Sequence, residues 1–380
     1  MFERLVDTGI CWFQMGGAPN DGSCNGSANI VGRFNTQTMI KIIGIVNQKS
    51  APDYHRVYTP LMNMEADVLI TNKLTEEQLE KGCDVLVINR FAFYNKPEEL
   101  FAWREKYGFK LVIDVDDFWI LESGHILAPY WEHYNVANTI IDNMIHADIV
   151  TCTHWRLAEK IQTYNKNVYI LPNAIPSGFE QFNTERMYSD KVRIMWQGSI
   201  THMNDVAILR NPMKKIYGDS QLRKKIQTIF GGYVPQMDDC DQMLSSFTCG
   251  MKLDTQIFNS MSAFEYFQIY NHADICVIPL VDNRFNKHKS NLKILEAAAA
   301  GVPVIVSHVD PYLDFPENCV YYVKKQSDWY NGIKLMTDIE ITRDIFAKNL
   351  QDYCDSQYNF KKINNQRADI YAGKKHGIFE

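Results

Sequence analysis

From residue 39 onward, short apolar runs rich in β-branched residues alternate with stretches of helical spacing. Ile40–Val46, Ala66–Ile70, Cys83–Ile88, Lys110–Asp116, Ala147–Thr151 and Val168–Leu171 predict strands. Between them, helices are expected over Pro97–Tyr107, around Val136–Ile145 and over Arg156–Tyr164. The strand runs are apolar along their length rather than alternating, as in sheets covered on both faces. Residues 176–190 are polar and break the rhythm, and a second alternation follows. It comprises strands at Val192–Trp196, Gln227–Phe230, from Ile275, Val302–Val306 and Val320–Val323. Helices are expected near Asp205–Tyr217, around Ala263–Tyr270 and through Glu296, with terminal helices from Trp329 and from Ile341. The expected fold is α/β: two Rossmann-like, doubly wound domains with a cleft between them. The boundaries read as an extension over 1–38, a first domain over 39–178 and a linker over 179–190. A second domain spans 191–340, and terminal helices over 341–380 are expected to return to the first domain.

Composition narrows the partners. The formal net charge of -6 gives no support to a general nucleic-acid binder. No apolar run reaches membrane-spanning length, and early charges (Glu3, Arg4, Asp7) argue against a secretory signal. The nine cysteines form no C-x-x-C pair. Cys83, Cys152 and Cys276 lie in strand-like runs and read as reduced core thiols of a cytoplasmic protein. Neither a structural metal nor an obligatory protein partner is expected.

The most informative stretch runs from His288 to Ser307: loop, helix, tight turn, strand. Ser290 or Asn291 can cap the helix, Gly301 stops it, and Val302–Val306 follows as a buried strand. Lys289, Ser290, Asn291 and Leu292 stand where a helix offers unpaired N–H groups and a partial positive charge, which is an anion site. Glu296 lies inside the helix between Leu295 and Ala297, where a carboxylate needs a hydrogen-bonding partner. A sugar diol is one such partner; an i,i+3 pair with Lys293 is the other reading.

The segment from Tyr266 to Tyr312 resembles the donor-binding segment of GT-B glycosyltransferases of the group 1 (GT4-like) type. The resemblance rests on Ala273-Asp274, Pro279-Leu280, Phe285-Asn286, Lys289-Ser290, Leu292-Lys293, Leu295-Glu296 and Gly301-Val302-Pro303. It implies a nucleotide-diphosphate sugar as donor substrate, with no permanently bound cofactor. Glu296 would hold the ribose, and Lys289, Ser290 and Asn291 would cradle the diphosphate. Many members carry a second glutamate eight positions earlier; here that position is His288. The loop after the first strand of the second domain, with Gly198, Ser199, Thr201 and His202, would lie near the phosphates, and Arg284 is a further phosphate candidate.

In the first domain, Asp114-Val-Asp-Asp117 ends a strand on the side of the expected cleft. Asp116 and Asp117 can act as a base toward an acceptor, position the sugar, or cap the next helix. A metal role is disfavoured, because the resembled family holds diphosphate with a helix end and basic side chains. His125 follows the strand and suits proton transfer. Arg56 is a candidate acceptor or phosphate ligand, against an ordinary salt bridge. The leading function is transfer of a sugar to an acceptor hydroxyl, retaining by resemblance. A nucleotide-sugar epimerase and a non-catalytic carbohydrate-binding protein are the alternatives. The acceptor can be a glycan, a lipid, a protein or a modified nucleic-acid base.

Overall fold

The computed structural model describes residues 39–47, 50–183, 185–251 and 254–374. The extension expected over 1–38, and the end of the terminal segment beyond 374, lie outside the described residues.

The first sheet contains β1 (Lys41–Ile45), β2 (Asp67–Thr71), β3 (Val85–Asn89), β4 (Lys110–Val115), β5 (Ile149–Cys152) and β6 (Val168–Ile170). Their order is β2-β1-β3-β4-β5-β6, and every pairing is parallel. The second sheet contains β7 (Val192–Gln197), β8 (Ile226–Tyr233), β9 (Thr255–Asn259), β10 (Ile275–Ile278), β11 (Val304–Ser307) and β12 (Tyr321–Val323). Its order is β12-β11-β10-β7-β8-β9, again parallel throughout. Two doubly wound Rossmann-like domains are therefore present, as the alternation of runs requires.

The central strands explain themselves. β3 and β10 are buried at every position, because helices cover both faces of each sheet. β9 was not expected: Thr-Gln-Ile-Phe-Asn is an edge strand with half its side chains toward water, and it lacks the apolar run. The helix expected over Ala263–Tyr270 is instead a tight 3-10 segment over Tyr266–His272.

One helical stretch, residues 51–62, follows β1. Its middle, Tyr54–Tyr58, widens to π-helical spacing, a form concentrated at functional sites. Contacts from three directions converge on it. Tyr54 and Tyr58 hydroxyls donate to the Glu180 carboxylate of the linker at 3.1 and 2.7 Å. Beyond the Glu340–Gln357 helix, which packs Leu350 and Cys354 into the second domain, the chain crosses back. The Phe360–Tyr371 helix then buries Ile363, Ile370 and Tyr371 with Ile42 and Val57 of the first domain. Its Asn364 amide donates to the carbonyls of Pro60 and Asn63, both at 3.0 Å. The third contact, from His55, belongs to the site.

Candidate functional site

The strand order reverses between β1 and β3 in the first sheet and between β7 and β10 in the second. Ligands of open parallel sheets bind beyond the carboxyl ends of the strands at such reversals. Here the loops beyond the carboxyl ends of the two sheets meet. Lys289, from the loop after β10, stands 3.2 Å from Asp117, which follows β4. The His288 ring stacks on Phe118 at 4.6 Å, and Arg284 lies over the same ring at 5.3 Å. The His154 Nε2–H donates to the His288 carbonyl at 3.1 Å while its Nδ1 accepts the Leu157 amide, so this imidazole is neutral. Burial pulls its pKa down to about 4.

On the first-domain side, each aspartate of the Asp114–Asp117 run has its own cation. Arg56 clasps Asp114 with Nε and Nη2 at 2.9 and 2.8 Å, and its Nη1 donates to Asn173 at 3.0 Å. Thr151 and Asn89 complete the shell of Asp114 at 2.6 and 3.2 Å. Arg56 was expected as a phosphate or acceptor ligand; it is instead 1% exposed and spent in this pair. Asp116 lies 3.2 Å from Arg90 and accepts from Asn89 at 3.1 Å. Burial raises its pKa against the opposing pull of Arg90. Arg90 ends β3 with φ of 54°, a left-handed conformation a non-glycine residue adopts at a cost, and such residues gather at functional sites. Nearby Asp53 is raised to about 6 by burial, which hydrogen bonds from Asn47 N and Ser50 only partly offset.

His125 reaches the cleft and packs edge-on against Phe285 at 5.1 Å. Its Nδ1 accepts the Leu127 amide at 3.2 Å, which leaves the proton on Nε2. Burial and then Lys289 lower its pKa. In this tautomer His125 offers a hydrogen-bond donor through Nε2.

On the second-domain side, the Leu292–Ala299 helix starts without a side-chain cap; the Asn291 amide donates instead to Tyr358 at 2.9 Å. The uncapped first turn, with Lys289 and Ser290 before it, faces the loop after β7. Gly232 (φ 92°) lets β8 come so close that a Cβ would lie 2.1 Å from the Gly198 carbonyl oxygen. A Cβ on Gly198 itself would meet Lys293 Nζ at 2.7 Å. Lys293 is thus folded under the loop, donating to the Gln197 carbonyl at 3.1 Å. Burial lowers its pKa to about 8, with Lys289 adding to the effect and Asp205 opposing it. Ser199 and Thr201 hydroxyls bond each other at 2.6 Å at the loop tip.

His202 was expected to contact phosphate. Burial, then Lys293, hold its pKa at about 3, so it is neutral. Asp205 stays ionised despite its burial, through hydrogen bonds from His202 and the Val281 amide. His202 Nδ1 therefore carries the proton toward Asp205 at 2.8 Å. Its Nε2 is left with a lone pair, which suits a hydroxyl rather than a phosphate oxygen. Asp205 also fixes Asn286 at 3.0 Å, and so shapes the loop that carries Arg284 to Lys289.

Glu296 is 2% exposed and does not pair with Lys293. The two side chains leave the helix in different directions. The Glu296 carboxylate lies in a cage and accepts from the hydroxyls of Tyr266 and Tyr270 and from the Gln197 amide, the latter two at 3.0 and 3.3 Å. His55 Nε2, from the first domain, completes it at 3.3 Å, and also contacts Tyr266 Oη at 2.5 Å. Two tyrosine hydroxyls present the carboxylate with what a vicinal diol would offer. His55, Gln197, Tyr266, Tyr270 and Lys293 were all missed as site residues. The i,i+4 spacing of Tyr266 and Tyr270 gives no guide, because the segment is 3-10, where side chains three apart align instead.

Residues 191–328 match the family model described as glycosyl transferases group 1. No curated protein sequence matches the chain. Among solved structures, HepE of Anabaena in complex with UDP-glucose superposes with a TM-score of 0.60 at 11% identity, over 88% of this chain and 100% of HepE. A glycosyltransferase of Rickettsia africae gives 0.59 at 10%, over 89% and 99%. TarM, known from S. aureus, gives 0.56 at 12%; 78% of this chain is covered, but it spans only 57% of TarM. At such identities these structures show a shared fold, and that fold is GT-B.

Proposed function

We propose that the chain is a nucleotide-sugar-dependent transferase with its reacting centre in the cleft between the two sheets, a reading supported by the match of residues 191–328 to the group 1 glycosyltransferase model and by the GT-B fold. The observation that carries this reading is the uncapped Leu292–Ala299 helix with two lysines at its start and no carboxylate on Lys293. A helix N-terminus with adjacent cations is built for a diphosphate. Ser290, Asn291 and Leu292 supply backbone donors, and Lys289 and Lys293 supply charge.

Glu296 takes the ribose diol in this reading, which requires the diol to displace the hydroxyls of Tyr266 and Tyr270. The transferred sugar lies toward His288, Ser199 and the His202 lone pair, and Asp116 and Asp117 face it from the first domain. In the reaction the bond from the anomeric carbon to the diphosphate oxygen breaks, and a bond to the acceptor oxygen forms. The acceptor proton leaves with the diphosphate. Charge that grows on the leaving oxygen is met by lysines and helix N–H groups already in place, the most effective form of electrostatic catalysis. By likeness to group 1 enzymes the transfer is retaining.

The test is incubation with UDP-glucose, the donor held by the HepE structure, followed by detection of UDP and of the product's anomeric configuration by NMR. Release of UDP together with an axial glycoside supports the reading. An isomerised nucleotide sugar formed without acceptor, or no nucleotide binding by the folded protein across UDP, GDP and ADP, overturns it.

A further inference from the structure

The corner formed by Arg90 and Asp116 is bordered by aromatic rings that the donor site does not use. Phe91, Phe93 and Tyr94 follow β3, while Tyr130, Trp131 and Tyr134 lie in or just after the Ala128–His133 helix beyond β4. Phe91 packs on Phe93 at 5.0 Å and edge-on to Trp131 at 6.4 Å, and Tyr130 meets Tyr134 at 4.5 Å. Trp131 is pinned by its Nε1–H to the Trp119 carbonyl at 3.0 Å. Phe93, Tyr94 and Tyr134 are nevertheless 52%, 56% and 60% exposed. A cluster of large exposed rings on a folded protein marks a binding surface.

Charge decides what it binds. Residues 91–95 and 111–155 contain no lysine or arginine. The cations that border the corner are committed: Arg56 to Asp114, Arg90 to Asp116 and Lys289 to Asp117. Among the described residues these pairs leave the corner without a net positive charge, unlike the basic aromatic surfaces that serve a phosphate, a sulfate or an anionic membrane. Carboxylates beside rings match a sugar instead: the apolar C–H face of a pyranose lies on the rings and its hydroxyls donate to carboxylates.

We propose that this aromatic rim is the acceptor subsite and that the acceptor is an uncharged saccharide. Its ring stacks over Phe93 and its neighbours, and a hydroxyl reaches Asp116. The proposal rests on the glycosyl-transfer reading for its chemistry, but its recognition step is testable alone.

The experiment has two arms on the full chain. In the first, a neutral oligosaccharide, a sugar phosphate and a glucuronide are titrated against intrinsic tryptophan fluorescence, and a polyprenyl phosphate is added in detergent. Saturable change with the neutral saccharide alone is expected. Phe93→Ala should weaken it about tenfold, the loss of one stacked ring, with the melting temperature and UDP affinity held. In the second arm the same compounds are offered as acceptors with UDP-glucose, and Phe93→Ala should raise acceptor KM rather than lower kcat. Preferential binding or transfer to a phosphate, carboxylate or prenyl compound overturns the proposal, as does unchanged saccharide affinity in both Phe93→Ala and Tyr134→Ala. Saccharide binding without any turnover of nucleotide sugar counts against the transferase reading and leaves the rim assigned.

Discussion

Lys289 and Asp117 close the cleft from opposite domains, Nζ to Oδ2 at 3.2 Å, with both side chains partly open to water. In the proposed reaction the same amine faces the diphosphate, so the carboxylate and the donor compete for it. Asp117→Asn frees Lys289, and UDP affinity should rise by about two- to fivefold, the size of a partly exposed ion pair. Added salt should shrink the gap between variant and wild type. Calorimetric titration with UDP at two salt concentrations checks this; equal or weaker binding in the variant would show that Asp117 helps hold the donor.

Lys293 sets a pH limit on donor binding. Its amine is charged below about 8 and neutral above it. UDP affinity should therefore be full near neutrality and fall as the pH rises through that value. In Lys293→Arg the decline should move beyond the accessible range, because a guanidinium does not titrate there. Stability has the opposite slope. The folded value lies below the ordinary 10.5, so the unfolded chain holds the extra proton between about 8 and 10.5, and folding gains as the pH rises across that window. Titration of UDP at stepped pH, with melting curves alongside, reads both.

The cage around Glu296 separates two roles. Glu296→Gln keeps the shape but turns one accepting oxygen into an amide donor, so nucleotide affinity should drop by about tenfold or more at a smaller cost in stability than full removal of the side chain. Glu296→Ala removes the acceptor for two tyrosines, a glutamine and His55, and should cost about 1–3 kcal/mol of stability besides. Denaturant unfolding of the two variants distinguishes a ligand-binding carboxylate from one that only ties the domains together.

Arg56 gives the contrasting case. Removing it as Arg56→Met strands the buried Asp114 charge and should destabilise the fold by about 3–5 kcal/mol. Replacing both partners, Arg56→Met with Asp114→Leu, should recover most of that. A loss of UDP affinity in the double variant, with the fold intact, would return Arg56 to the ligand set.

The fold was readable because strands covered on both faces, such as β3 and β10, leave continuous β-branched runs. β9 escaped because an edge strand keeps only an alternating trace. The Leu292–Ala299 helix was readable from a local pattern running from Lys289 to Gly301. The direction in which its side chains point was not. Lys293 and Glu296, three apart, looked like partners, yet one folds under Gly198 and the other meets tyrosines from a different segment. His55 lies 211 residues from Tyr266, and nothing local links them. Arg56 was misplaced for the related reason that its partners, Asp114 and Asn173, arrive only when β4 and the segment after β6 assemble beside it.

The helical stretch over residues 51–62 is more than the first crossover of its sheet. The outgoing linker is moored there through Glu180, the returning terminal helix through Asn364, and the Glu296 carboxylate of the second domain through His55. Both segments that pass between the domains are thus tied to one short stretch of the first, so a change in the angle between the domains would be felt first along residues 51–62, where the π-helical turn at Tyr54–Tyr58 already departs from regular helix.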